Sequence, residues 1–338
     1  MWLRHFSFSP PFSVPPECSD PSTCLPNIAV SGTEAITHLY SLSNGAFSSP
    51  LWYMLELSRR GISLRGVIMN LETVLYEVKE NIATITMNRP DKRNALNHAL
   101  LRDLDAAFDQ AENDPEVRVV ILKGAGKAFC SGYDLTGSPY ISIPEGYDRW
   151  TIGNALKTLR GISARYLRIF NFPKPTIAEV HGYCLAAGCY LQMCCDVAIA
   201  AEDAILGHPA TRGGGVTSMP LWVTILGLRK AKELLFTSRL ISGKEAERIG
   251  LVNKAVPPDK LEEEVWKMAK EMAEVPADGM MILKEALNTH ALMAWNLDAT
   301  FAYHRQLNAL GRLGRSEGAA PYTLDQLRSR TRGEKPEQ

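Results

Sequence analysis

Two short turns carry the residues best suited to chemistry. They are Lys127-Ala-Phe-Cys-Ser-Gly-Tyr-Asp-Leu135 and His181-Gly-Tyr-Cys-Leu-Ala-Ala-Gly-Cys-Tyr190, and each follows an apolar stretch that reads as a buried strand. Both place small residues where backbone would have to approach another group closely. In the second, Ala186-Ala187-Gly188 opens a helix whose unpaired N–H groups and positive dipole end suit an anion or a developing oxyanion. Tight packing of a helix on a strand is the other reading of such a turn. The seven cysteines (Cys18, Cys24, Cys130, Cys184, Cys189, Cys194, Cys195) form no CxxC pair, so neither a disulfide framework nor a zinc site is expected. Cys130 and Cys184 lie near the turns without a histidine-containing motif, which argues against a thiol nucleophile.

The elements that must position these turns alternate between strand and helix. Val74–Met87 reads as two strands joined at Glu80-Asn81, Asn94 sits as an N-cap, and helical spacing of leucines and alanines runs to about Asn113. Strands are expected at Val117–Lys123, Thr176–Val180 and Asp196–Ala201, with helices at Gly153–Ile169 and Ala187–Cys195 between them. Such alternation predicts an α/β core with a largely parallel sheet. Three further helices are expected near 259–273, 278–290 and 295–313.

The 338 residues carry 37 basic and 37 acidic side chains, so no whole-chain excess of positive charge favours a nucleic acid partner. No apolar run reaches the roughly eighteen residues of a membrane helix, and no membrane partner is expected. Residues 1–68 contain no lysine, four arginines, four acids, twelve serines and seven prolines, a composition unlike the rest. They read as a leader without recognisable fold. Either Met69 is the true start, or the segment is an organelle transit peptide, which its acids disfavour. A cytoplasmic location is expected in the first case and an organelle matrix in the second.

Several ordered segments resemble the enoyl-CoA hydratase/isomerase (crotonase) superfamily. They are Ile85-Thr-Met-Asn-Arg-Pro-Asp-Lys-Arg-Asn-Ala-Leu96, Val119 through Leu135, Lys174 through Cys189, Met193-Cys-Cys-Asp-Val-Ala-Ile-Ala200, and the pair Ala231–Thr237 and Glu245–Asn253. The resemblance implies a crotonase-like spiral of ββα units over 69–265, a C-terminal helical trimerisation region over 266–338, and a homotrimer or homohexamer. It also implies an acyl-CoA thioester as ligand, with coenzyme A entering as part of the substrate and no separate cofactor or metal.

By that resemblance, the N–H groups of Tyr133 and Ala187 hold the thioester oxygen, where one such donor lowers a barrier by roughly 3–4 kcal/mol. Ala186 and Ala187 narrow the site by two methyl groups. Lys92 and Arg93 become candidate phosphate contacts. Ala95, Leu96, Ser131, Gly132, Asp134, Ala186 and Gly188 fall in the substrate- and CoA-binding set, and a C-terminal aromatic and lysine pair falls on Tyr322 and Asp325. The two glutamates that a hydratase of this family uses for water and α-proton transfer fall on Tyr190 and Ala210.

Replacement groups stand nearby in sequence. Tyr190 lies three residues after Ala187 and faces the same side of its helix, as a proton donor, a water-orienting group or a packed aromatic. His208 has a suitable intrinsic pKa, although a lone histidine is often structural. Arg212 is a candidate partner for an acidic substrate group, and Glu145 or Asp148 could supply a carboxylate from the aromatic loop after Gly137. Asp134 and Asp196 read as structural. The sequence therefore points to an acyl-CoA enzyme of hydratase or isomerase type. The alternatives are a thioester or C–C bond hydrolase on the same scaffold, and a non-catalytic CoA- or RNA-binding protein.

Overall fold

The computed structural model describes residues 71–136, 143, 146–213, 215, 217 and 219–316. The leader, Glu145, Tyr322 and Asp325 lie outside them. Among the described residues, no helix is long and apolar enough to cross a membrane.

The main sheet has six strands in the order β1 (Val74–Lys79), β2 (Ile82–Met87), β3 (Val119–Gly124), β4 (Thr176–Val180), β6 (Val197–Ala201) and β9 (Lys254–Val256). Only the β1–β2 hairpin is antiparallel; every later pairing is parallel. β3 and β4 are nearly continuous apolar runs because helices cover both faces of a parallel sheet. The charged exceptions are Lys123 on β3 and Glu179 on β4, which pair with each other at 2.8 Å. Three short strands, β5 (Tyr183–Leu185), β7 (Ile205–Gly207) and β8 (Ile241–Ser242), form a second sheet.

The helices are α1 (His98–Asn113), α2 (Ile152–Phe170), α3 (Ala187–Cys194), α4 (Leu221–Thr237), α5 (Gly243–Arg248), α6 (Leu261–Glu274), α7 (Ala277–Trp295) and α8 (Leu297–Ser316). In α1, Leu100, Leu104, Ala107, Phe108 and Ala111 form the buried stripe, as their spacing requires. Its N-cap is Asn97, whose side chain accepts from Leu100 N–H, and not the expected Asn94. Asn94 instead adopts a left-handed conformation (φ 53°) and is fully buried. Its carbonyl oxygen accepts from Arg89 N–H, and its amide donates to the Ala125 and Ala128 carbonyls. Asparagine suits both positions, because a short amide can cap a helix or satisfy a left-handed turn.

The C-terminal helices are joined to the core by a buried cation. Lys284 on α7 donates to Asp196 Oδ2 at 2.7 Å and to the Lys174 carbonyl at 3.0 Å. Asp196 in turn accepts from the N–H and hydroxyl of Thr176, the structural role its sequence context suggested. α6 runs across residue 265 and buries Leu261, Val265 and Ala269, while α8 lies against α2.

A close backbone approach in this core fixes α3. A Cβ on Gly188 would sit 2.3 Å from the Cys130 carbonyl oxygen, a contact that neither backbone can relieve alone. Gly188→Ala should therefore destabilise the protein by about 3 kcal/mol, as overpacked cores do. Urea unfolding at equilibrium checks this, and a midpoint equal to wild type would show that the two segments are not locked together.

Candidate active site

The two turns meet edge to edge. Leu96 N–H donates to the Gly132 carbonyl (2.8 Å), and Asp134 N–H donates to the Leu96 carbonyl (2.9 Å). This is one step of a parallel ladder in which Leu96 uses both its backbone groups on the neighbours of Tyr133. The N–H of Tyr133 itself is therefore turned to the opposite side. The start of α3 stands close to this turn: a Cβ on Gly132 would lie 3.1 Å from Ala186 Cβ and 3.6 Å from Ala187 N. Gly132 has φ +104°, which glycine alone adopts without strain.

A second ladder step holds the other turn. Cys130 N–H donates to the Tyr183 carbonyl and Leu185 N–H to the Cys130 carbonyl, at 3.0 and 2.9 Å. Ala186 then takes φ 49° and ψ −111°, an unusual conformation for a residue with a Cβ, and its N–H donates to the Gly207 carbonyl. Ala187 follows as the first helical residue, where an N–H has no acceptor within its own helix. Thus the N–H groups of Tyr133 and Ala187 belong to two turns in van der Waals contact. Two N–H groups brought this near to one another are the kind of donor pair that a developing oxyanion needs.

Around the first turn, the expected CoA-contact residues form a braced loop. Lys92 and Arg93 are exposed, and the Arg93 guanidinium lies over the Tyr183 ring at 5.0 Å. Ala95 is half-buried and Leu96 buried. Ser131 N–H donates to the Arg93 carbonyl, which ties the loop to the turn. Asp134 pairs with Arg89 Nη2 at 3.0 Å, and Arg89 also donates to the Ala95 carbonyl. Burial works to raise the Asp134 pKa, but hydrogen bonds from Thr136 and Arg89 outweigh it and hold the carboxyl below its ordinary range. The Asp134 side chain thus supports the loop.

Behind the turns lies a network of phenols and imidazole. Tyr133 Oη and Tyr166 Oη are 2.6 Å apart, and the Tyr166 ring meets Tyr190 edge-on at 5.6 Å. Tyr190 Oη lies 2.6 Å from His208 Nε2, with the two rings stacked, and donates to Thr217 Oγ1 at 2.8 Å. Because the phenol proton goes to Thr217, Tyr190 Oη accepts from His208, which selects the Nε2–H tautomer. His208 Nδ1 is then a buried lone pair without a hydrogen-bond partner. Sequence reasoning brought Tyr190 and His208 forward, but it missed Tyr166 and Thr217. Tyr166 continues the buried stripe of α2 with Leu159, Ile162 and Ile169, so its spacing reads only as core.

Other candidates fall outside this cluster. Arg212 and Asp148 are exposed, and Ala210 is half-buried with its carbonyl accepting from Gly215 N–H. Burial pushes the Cys130 thiol up to about 12 and the Cys184 and Cys194 thiols well above their usual range, so these sulfurs are not thiolates near neutrality. Among the described residues, no three His, Cys, Asp or Glu side chains gather as metal ligands.

Residues 77–309 match the sequence profile of a family described as enoyl-CoA hydratase/isomerase. A probable enoyl-CoA hydratase of Rhizobium meliloti is 36% identical over 65% of this chain and 82% of its own length. The short-chain-enoyl-CoA hydratase of Clostridium acetobutylicum is 33% identical over 70% of this chain and 88% of its own. Among solved structures, an enoyl-CoA hydratase/isomerase from Xanthobacter autotrophicus Py2 superposes with a TM-score of 0.69 at 31% identity, covering 78% of this chain and 97% of that one.

Burial penalises the His208 imidazolium and lowers its pKa from 6.5 to about 4. Between those values the unfolded chain binds the proton and the folded chain does not, so stability falls as pH drops from 6.5 toward 4. The full loss is about 3 kcal/mol. Denaturant unfolding across this window should show that slope, and His208→Gln should flatten it. An unchanged slope in the variant would assign the acid sensitivity to other groups.

Proposed function

The chain belongs to the enoyl-CoA hydratase/isomerase family, and from that premise we propose that it forms and protonates a thioester enolate without the usual pair of glutamates. It is an enzyme acting on acyl-CoA. The N–H groups of Tyr133 and Ala187 take the thioester oxygen, and charge moving onto that oxygen strengthens both hydrogen bonds. The α-proton comes from Tyr190.

The observation that carries this reading is the short contact between Tyr190 Oη and His208 Nε2 one helical turn from Ala187. When water adds at Cβ of an enoyl thioester, the electron pair of the double bond moves to Cα and the carbonyl oxygen. Tyr190 O–H, turning from Thr217, delivers its proton to Cα. His208 Nε2–H stays on the phenolate oxygen and stabilises it until the proton from the added water restores the phenol. His208 Nδ1 is the unmatched acceptor from which that water can be oriented. The surrounding polar groups are phenols, an imidazole and a hydroxyl in place of carboxylates at the aligned positions Tyr190 and Ala210.

Lys92 and Arg93, exposed beside the first turn, suit the phosphates of coenzyme A. Assembly as a homotrimer or homohexamer is part of the same proposal. Its support is the set of large apolar side chains left on the surface of α4 and α7, including Phe236, Ile282, Leu287 and Met293.

Incubation with crotonyl-CoA in D2O, followed by mass spectrometry, tests the reaction: the expected product gains one water, with deuterium at Cα. Release of free CoA would instead establish a hydrolase. Tyr190→Phe should lower kcat by about 10²–10⁴ with little change in KM, the usual contribution of a positioned proton donor. Full activity in that variant would remove Tyr190 from the mechanism.

A further inference from the structure

One cleft borders this site without being used by the mechanism above. It lies between α1 and α2 and is lined by Leu104, Phe108, Ile162, Ile169 and Leu191. Charged groups stand at its rim, where Arg165 Nε pairs with Asp105 Oδ2 at 2.7 Å and Arg168 donates to the Asp105 carbonyl. Its cavity volume is only ≈ 20 Å³. As it stands, the space is too narrow for a hydrocarbon chain.

Tyr166 forms part of its wall. This residue is almost fully buried, and both Tyr133 and Tyr166 line the cleft. The Tyr166 hydroxyl reaches Tyr133 Oη, on the residue whose N–H would hold the thioester oxygen, and its ring edge meets that of Tyr190. Tyr166 therefore stands in the wall between the reacting atoms and an apolar space lined by leucine, isoleucine and phenylalanine. An acyl chain directed from the thioester toward α1 and α2 would meet the Tyr133–Tyr166 pair first.

We infer that Tyr166 is the specificity-determining residue for acyl length: hydrogen-bonded to Tyr133, it plugs the apolar cleft between α1 and α2 and restricts the site to short acyl groups. The inference rests on the acyl-CoA reading and extends it to a substrate class, short-chain thioesters. A smaller side chain at 166 joins the cleft to the site and gives a longer chain apolar surface to bury.

The test is binding, which does not depend on the proton-transfer chemistry assigned to Tyr190. Dissociation constants of saturated butyryl-, octanoyl- and dodecanoyl-CoA are measured by calorimetry for wild type, Tyr166→Ala and Tyr166→Leu. Each buried methylene is worth about a three- to fourfold gain in affinity. Wild type should therefore bind octanoyl-CoA no more tightly than butyryl-CoA. Both variants should raise the preference for octanoyl over butyryl at least tenfold. The leucine variant retains an apolar side chain at 166 and keeps the test valid if the alanine variant fails to fold. Refilling the cleft with Leu104→Trp in the Tyr166→Leu background should cancel the gain. A wild type that already favours octanoyl- or dodecanoyl-CoA by tenfold, or folded variants with an unchanged preference, would overturn the assignment.

Discussion

The site depends on one close contact between two stretches of backbone. Gly188 sits against the Cys130 carbonyl where no Cβ fits, and Gly132 sits against Ala186 and Ala187. Distances of this kind bring the backbone of segments more than fifty residues apart side by side. Every neighbouring feature serves to hold that approach. The Asn94 side chain ties the loop after β2 to the turn after β3, and ladder steps on either side grip Gly132 and Cys130. The strained Ala186 backbone aims the start of α3 at the first turn.

In the proposed site, backbone donors make the carbonyl-binding half independent of side-chain identity, so the proton-transfer half is free to differ. The hydrogen-bonded network at Tyr190 consists of phenols, an imidazole and a hydroxyl. His208 is held neutral by burial, and burial also keeps the Tyr166 phenol protonated. A neutral network avoids the desolvation cost that two buried carboxylates would incur. Under the proposed reaction it also provides a weaker base, so water addition would lean more on carbonyl polarisation than in a two-glutamate site.

The strong local signals were legible in the sequence. The β1–β2 hairpin, β4 and the long helices declare themselves by alternation or by 3.6-residue spacing, and the motifs around Gly132 and Ala187 point to the family that the comparisons show. What was hidden depends on tertiary placement. β5, β7 and β8 are only two or three residues long and exist because neighbouring backbone pairs with them. Asn94 and Asn97 are three residues apart and chemically alike, so which of them caps α1 is settled only when Asn94 is drawn onto the Ala125 and Ala128 carbonyls. Thr217 carries no pattern in its segment, and Tyr166 has the spacing of an ordinary core residue.

The central claim is that the N–H groups of Tyr133 and Ala187 together polarise a thioester carbonyl. Isotope-edited infrared difference spectroscopy of butyryl-CoA carrying a ¹³C label at its thioester carbonyl observes that bond directly in the complex. Two converging donors predict a carbonyl stretch below the frequency of the same thioester in water. A stretch at or above the aqueous frequency would show an oxygen in an apolar pocket without those donors, and would contradict the account.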